Sequence, residues 1–260
     1  MDSSLSILAI AVMIGASSGA IGSFVLLRRM ALAGDALSHV ALPGIALALA
    51  YHADPFWGVL GFLVPAAALV WWLEGKTRLH PETLVGLLFT TSLAVGILTI
   101  PEIEILESLF GGFPTLSLKA LIAISAVAAV LVTSTFLAAQ RFALATVASE
   151  LCAPRVLRRS DLLLLLIFAT IVSLGIKLAG TLLMGALTII PASVARNSAF
   201  SFKQYMLAST AAGAVIAAIG AIAAHRFGWA PGPTIVLLGS GLFVLSLAFS
   251  RLVRPLLRAR

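Results

Sequence analysis

The segment Met30-Ala-Leu-Ala-Gly-Asp-Ala-Leu-Ser-His-Val-Ala-Leu-Pro-Gly-Ile-Ala46 decides how the rest of the chain is read, because it sets Asp35 and His39 inside an otherwise apolar run. Residues four apart lie on one face of a helix. A carboxylate and an imidazole are costly in hydrocarbon, so such a pair normally faces a bundle interior or a wet cavity and marks an ion or substrate path. Pro43 follows His39 by four positions, has no N–H to give to the His39 carbonyl, and opens that turn. With the Ser38 hydroxyl and the flexible Gly44 beside it, one short stretch offers carboxylate, imidazole, carbonyl oxygen and hydroxyl to something polar at membrane depth.

Composition fixes the solvent. Hydrophobic residues make up 61% of the 260 residues and charged residues 10%, with mean hydropathy +1.12; an average soluble domain is about 25% charged. A crossing helix takes about 20 apolar residues, so the length fits roughly eight to ten spans and leaves no room for a soluble catalytic domain. The fold expected is an all-α polytopic membrane bundle, one transmembrane domain over 1–260. The single cysteine, Cys152, excludes an intrachain disulfide. The net charge of +7 reflects loop composition and not nucleic acid, since basic residues of polytopic proteins collect in cytoplasmic loops.

The apolar runs fall at about 5–27, 33–50, 56–73, 83–100, 118–139, 162–176, 179–195, 205–224 and 234–249, nine candidate spans, or eight if one is not a crossing. With the N-terminus outside, all of the 17 Lys and Arg residues except Lys119, Lys177 and Arg226 fall in inner loops, which selects N-out, C-in. The first span has no basic leader and reads as a retained helix, with Gly15, Gly19 and Gly22 suiting a close helix contact. Pro65 and Pro191 sit inside spans; Pro191 is either a gating hinge or a tolerated kink. Residues 101–116 are too short to span and too apolar for a plain loop, which predicts a re-entrant or interfacial segment. Its Glu102, Glu104 and Glu107 would face the outer mouth, either as a solvated face or as a funnel for cations. The inner connection from 140 to 161 is basic and partly helical up to Glu150, and Ser160-Asp161 reads as the cap of the sixth span.

These residues resemble the permease subunits of bacterial ATP-binding-cassette importers for divalent transition metals, the zinc and manganese uptake class. The most specific motif is the basic turn Arg28-Arg29-Met30 followed by Gly34-Asp35-Ala-Leu-Ser-His39-Val-Ala-Leu-Pro43-Gly44. The likeness continues at Glu82-Thr-Leu-Val-Gly86, Ser108-Leu-Phe-Gly111, Gly180-Thr-Leu-Leu-Met184, Ile190-Pro-Ala-Ser-Val-Ala195 and Pro231-Gly-Pro-Thr-Ile-Val236.

The resemblance implies a homodimeric or paired permease in the bacterial cytoplasmic (inner) membrane. An extracytoplasmic metal-binding protein would dock above it and cytoplasmic ATPase subunits below. Asp35 and His39 match the positions implicated in passage of the metal, zinc or manganese with iron behind them. No cofactor is held permanently. The inner loop resembles the family's ATPase-docking segment, with Phe142, Ala148, Glu150, Cys152 and Pro154 as its candidate contacts, although Cys152 replaces a usual glycine and Ala143 a frequent acid. No Gly-x-x-x-x-Gly-Lys-Ser/Thr loop occurs, so ATP would be bound and hydrolysed only by the partner.

Rival readings remain. An intramembrane protease would need a His-Glu-x-x-His helix, paired aspartates or a serine site, and Asp35 is the only clearly intramembrane acid. The chain is therefore not read as an enzyme. An ATP-independent metal carrier could use the same pair, and a permease for a metal chelate of siderophore or cobalamin type shares the helical character.

Overall fold

The computed structural model describes residues 3–77, 79–99, 118–147, 150 and 152–258. These residues form ten helices and no strand: α1 Ser3–Leu27, α2 Ala31–His39, α3 Leu42–Ala50, α4 Pro55–Glu74, α5 Pro81–Thr99, α6 Leu118–Val147, α7 Pro154–Ala179, α8 Thr181–Ser198, α9 Phe202–Phe227 and α10 Pro231–Arg258. Six contain segments long and apolar enough to cross a membrane: Ser6–Leu27, Pro55–Glu74, Leu118–Val147, Pro154–Ile176, Phe202–Phe227 and Pro231–Ser250. Two shorter apolar stretches, Asp35–Ala50 and Glu82–Leu98, lie between them.

The boundaries follow local chemistry. Pro55, Pro81, Pro154 and Pro231 open α4, α5, α7 and α10, at the end of a helix where a missing N–H costs nothing. Asp54 caps α4 by accepting from the Phe56 N–H at 2.8 Å, and Ser201 caps α9 by accepting from the Gln204 N–H at 3.3 Å. Gly228, at φ 67°, takes the left-handed turn that ends α9.

α1 is the central helix, packed against α6, α7, α8 and α9. Its glycines make that possible. A Cβ on Gly15 would stand 2.2 Å from the Gly213 carbonyl oxygen, one on Gly19 2.2 Å from that of Ser209, and one on Gly22 2.0 Å from that of Thr188. The backbones touch because these positions carry no side chain, as expected where lipid gives helices no hydrophobic reason to associate. Ser209 Oγ then donates to the Gly19 carbonyl at 2.5 Å across the same seam.

The turn that Pro43 is expected to open lies at Val40–Ala41, where the backbone keeps right-handed helical angles and α3 restarts one residue before Pro43. One expectation changes: Ser160-Asp161 is not a helix cap, because α7 starts at Pro154 with Ala153 as its N-cap. Proline at the first turn had already set the start, and Asp161 lies inside the helix, where it pairs with Arg28. α4 and α8 continue through Pro65 and Pro191. The segment 101–116 with Glu102, Glu104 and Glu107, and also Ala148, lies outside the described residues.

Candidate functional site

α2 is held between α5 and α8, and its two ionisable side chains meet different walls. Asp35 is half-buried and lies against Gly185 of α8, where a Cβ would stand 2.6 Å from the Asp35 Cα and 2.7 Å from its Oδ1. Only a glycine leaves the carboxylate that room. His39, the last residue of α2, is 7% exposed, with its ring 5.3 Å from that of Phe89 on α5 and tilted by 57°. Its Nδ1 is buried and has no hydrogen-bond partner among the described residues. Buried polar atoms are nearly always paired, so an orphaned imidazole nitrogen beside a carboxylate suits a ligand position.

The backbone between the pair and α3 is loosened in the way Pro43 dictates. The Ala41 N–H reaches only to the Ser38 carbonyl at 3.4 Å, and regular bonding resumes with Ile45 N–H to the Ala41 carbonyl at 3.0 Å. Ser38 Oγ donates to the Asp35 carbonyl at 2.6 Å, so its hydrogen braces the backbone and only its lone pairs stay available. Gly44 does not loosen the helix. A Cβ there would stand 2.4 Å from the Gly58 carbonyl oxygen, so Gly44 pins α3 to α4. The break thus lies between two fixed points, Gly185 holding α2 and Gly58 holding α3.

Sequence reasoning passed over Gly185 and Phe89, since neither carries a charge or a motif to single it out. It also missed the role of Arg28 in the turn just before α2. The Arg28 guanidinium pairs with Asp161 of α7, and its Nε donates to Thr146 Oγ1 at the end of α6 at 3.2 Å. A basin of ≈ 730 Å³ opens there, lined by Arg28, Glu74, His80, Glu82, Thr146 and Asp161 among others. Next to it Arg158 lies 4.6 Å over the Trp71 ring, and the Trp71 Nε1–H donates to the Arg158 carbonyl at 2.8 Å.

Of the candidate docking residues, Phe142 is fully buried, edge-on to Phe24 at 5.1 Å. It anchors α6 to α1 and presents no surface. Glu150 and Pro154 are exposed and Cys152 is half-buried. No group of three or more His, Cys, Asp or Glu side chains converges to hold a metal ion among the described residues; one chain offers the pair Asp35 and His39.

A bundle of apolar helices, six of them long enough to cross a membrane, is the architecture of a polytopic membrane protein. The chain belongs to the ABC 3 transport family, which matches residues 3–250, and is a multi-pass protein of the bacterial inner membrane. It is 32% identical over 245 residues to the manganese import system permease protein ScaB of Streptococcus gordonii, covering 91% of this chain and 87% of that protein. To the high-affinity zinc uptake system membrane protein ZnuB of Haemophilus influenzae it is 29% identical over 236 residues, covering 87% and 90%. Its fold matches PsaBC from Streptococcus pneumoniae in complex with Fab with a TM-score of 0.81 at 26% identity, over 95% of this chain and 91% of that one.

Proposed function

We propose that the chain is the membrane-spanning subunit of an ATP-binding-cassette importer that carries zinc or manganese into the cytoplasm, with ATP hydrolysed by partner subunits. The observation that carries this is the buried, unpartnered Nδ1 of His39 four residues from the half-buried Asp35. The manganese and zinc systems named among its relatives agree with it.

In a two-fold pair of chains, Asp35 and His39 would supply two carboxylates and two imidazoles around the axis, a donor set suited to borderline divalent ions. Four such groups replace lost hydration better than one pair, and the two carboxylates neutralise the dication. A closed tetrahedral cage would hold zinc too long for turnover. The break at Val40–Ala41 gives the means to open it, since α2 can move with α8 while α3 stays with α4. Counting α2 with α3, α5 and α8 each as a crossing beside the six long apolar helices would give nine spans, and the placement of the basic residues would set them N-out and C-in. With that orientation the sequence segment holding Glu102, Glu104 and Glu107 would belong to the side of the extracytoplasmic metal-binding protein, and Pro191 lies in the helix that would carry Asp35. The segment from Ala148 through Glu150 and Cys152 to Pro154 would meet the ATPase.

The test is uptake of radiolabelled manganese and zinc by vesicles holding the chain with its ATPase. Accumulation of the bare ions that requires ATP is expected. Accumulation without ATP would instead make the chain a carrier, and uptake of chelates alone would make it a chelate permease.

A further inference from the structure

Beyond the transport path, a crevice of ≈ 380 Å³ lies between α6 and α7, lined by Arg141, Phe142, Val156, Arg159, Ser160 and Leu163. We infer that this crevice binds the headgroup of an anionic phospholipid, with Arg141 and Arg159 on the phosphate and Val156 and Leu163 along the first part of an acyl chain.

Three observations support it. The first is charge: two exposed arginines flank the crevice with no acid among its lining residues. Neither arginine has an ion-pair partner among the described residues. The nearby Asp161 is committed to Arg28 and leaves them their charge.

The second is shape and polarity. Phe142 is fully buried at the floor, Val156 is 47% and Leu163 38% exposed, and Ser160 Oγ donates back to the Val156 carbonyl at 2.9 Å. The crevice is therefore basic at its rim and apolar inside, the two-part chemistry of a lipid and not of a free anion.

The third is depth. The apolar part of α6, 118–139, is by itself long enough to cross a hydrocarbon core of about 30 Å, and Arg141 follows after Gln140. On α7, Arg159 stands just before the apolar run that begins at Leu162. Both helices thus bring an arginine to the headgroup level, where basic pockets between spanning helices take anionic lipids. α6 continues from Arg141 to Val147, about 9 Å at 1.5 Å per residue. Of the docking segment assigned above, Glu150 and Cys152 follow the end of α6 and so lie beyond the level of Arg141, which favours lipid over the ATPase between the two arginines.

The test is native mass spectrometry of the chain alone, purified in detergent and offered phosphatidylglycerol or phosphatidylcholine. One retained phosphatidylglycerol per chain is expected. Its preference over phosphatidylcholine should fall about thirtyfold in the Arg141→Gln/Arg159→Gln variant, the product of two arginine–headgroup contacts. Lys76→Gln/Lys203→Gln, which removes equal charge outside the crevice, should leave it unchanged. Leu163→Trp, which fills the apolar part and keeps both arginines, should also lose the lipid and covers the case in which the double variant does not fold. Equal retention by native protein and either crevice variant would overturn the assignment. So would displacement of the lipid by an equal excess of inorganic phosphate, which would make the crevice a phosphate site. Because neither metal nor ATPase is present, failure of the transport reading would leave this measurement untouched, and Asp35→Asn should retain the lipid as the native chain does.

Discussion

Gly185 packs on Asp35 so closely that a single added carbon would stand 2.6 Å from the Asp35 Cα. The seat of the carboxylate is thus made by a helix more than a hundred residues downstream. If the proposed site is right, Gly185→Val should lose metal binding although Asp35 and His39 both remain, and should cost about 1–3 kcal/mol through overpacking. Gly213→Val is the matched control, since its Cβ would meet the Gly15 carbonyl oxygen at 2.1 Å on the far seam. It should lose comparable stability and keep its metal affinity. Equilibrium dialysis with manganese and thermal unfolding in detergent separate the two outcomes.

Pro43→Ala restores an N–H to the His39 carbonyl and so closes the opened turn. The variant should be at least as stable as the native chain yet turn over more slowly, because α2 and α3 become one stiffer helix. Uptake rate at saturating metal measures this. A native rate would mean that the break plays no part in transport.

The pair of Arg28 with Asp161 joins the turn before α2 to the start of α7, and Thr146 draws in the end of α6. Their side chains are 12% and 27% exposed, so the pair is shielded from water more than a surface bridge. Arg28→Ala leaves a partly buried carboxylate without its partner and should cost about 1–3 kcal/mol. Adding Asp161→Asn should recover part of that loss. Strict additivity of the two substitutions in unfolding measurements would show that they do not interact.

Much of this was legible in the sequence. The apolar runs gave the helical class, and an acid and an imidazole four apart named the pair before any geometry was known. Pro43 correctly signalled a broken helix, and Gly15, Gly19 and Gly22 a close seam. What was not legible depends on distant contacts. Gly185 looks like any glycine of an apolar span, and Phe142, proposed as a docking contact, is turned inward against Phe24. Asp161 carried a plausible local signal as a cap. That signal failed because Pro154 starts the helix earlier and Arg28, 133 positions away, claims the carboxylate.

Whether Asp35 and His39 pass the metal is measured by ATP-driven accumulation of manganese and zinc in vesicles holding native, Asp35→Asn or His39→Gln chains with the ATPase. All three should assemble and hydrolyse ATP, and accumulation of the transported ion should fall by at least about tenfold in each variant, the lower end of what losing even a supporting group of a metal site costs. Accumulation by both variants at the native rate would contradict the account.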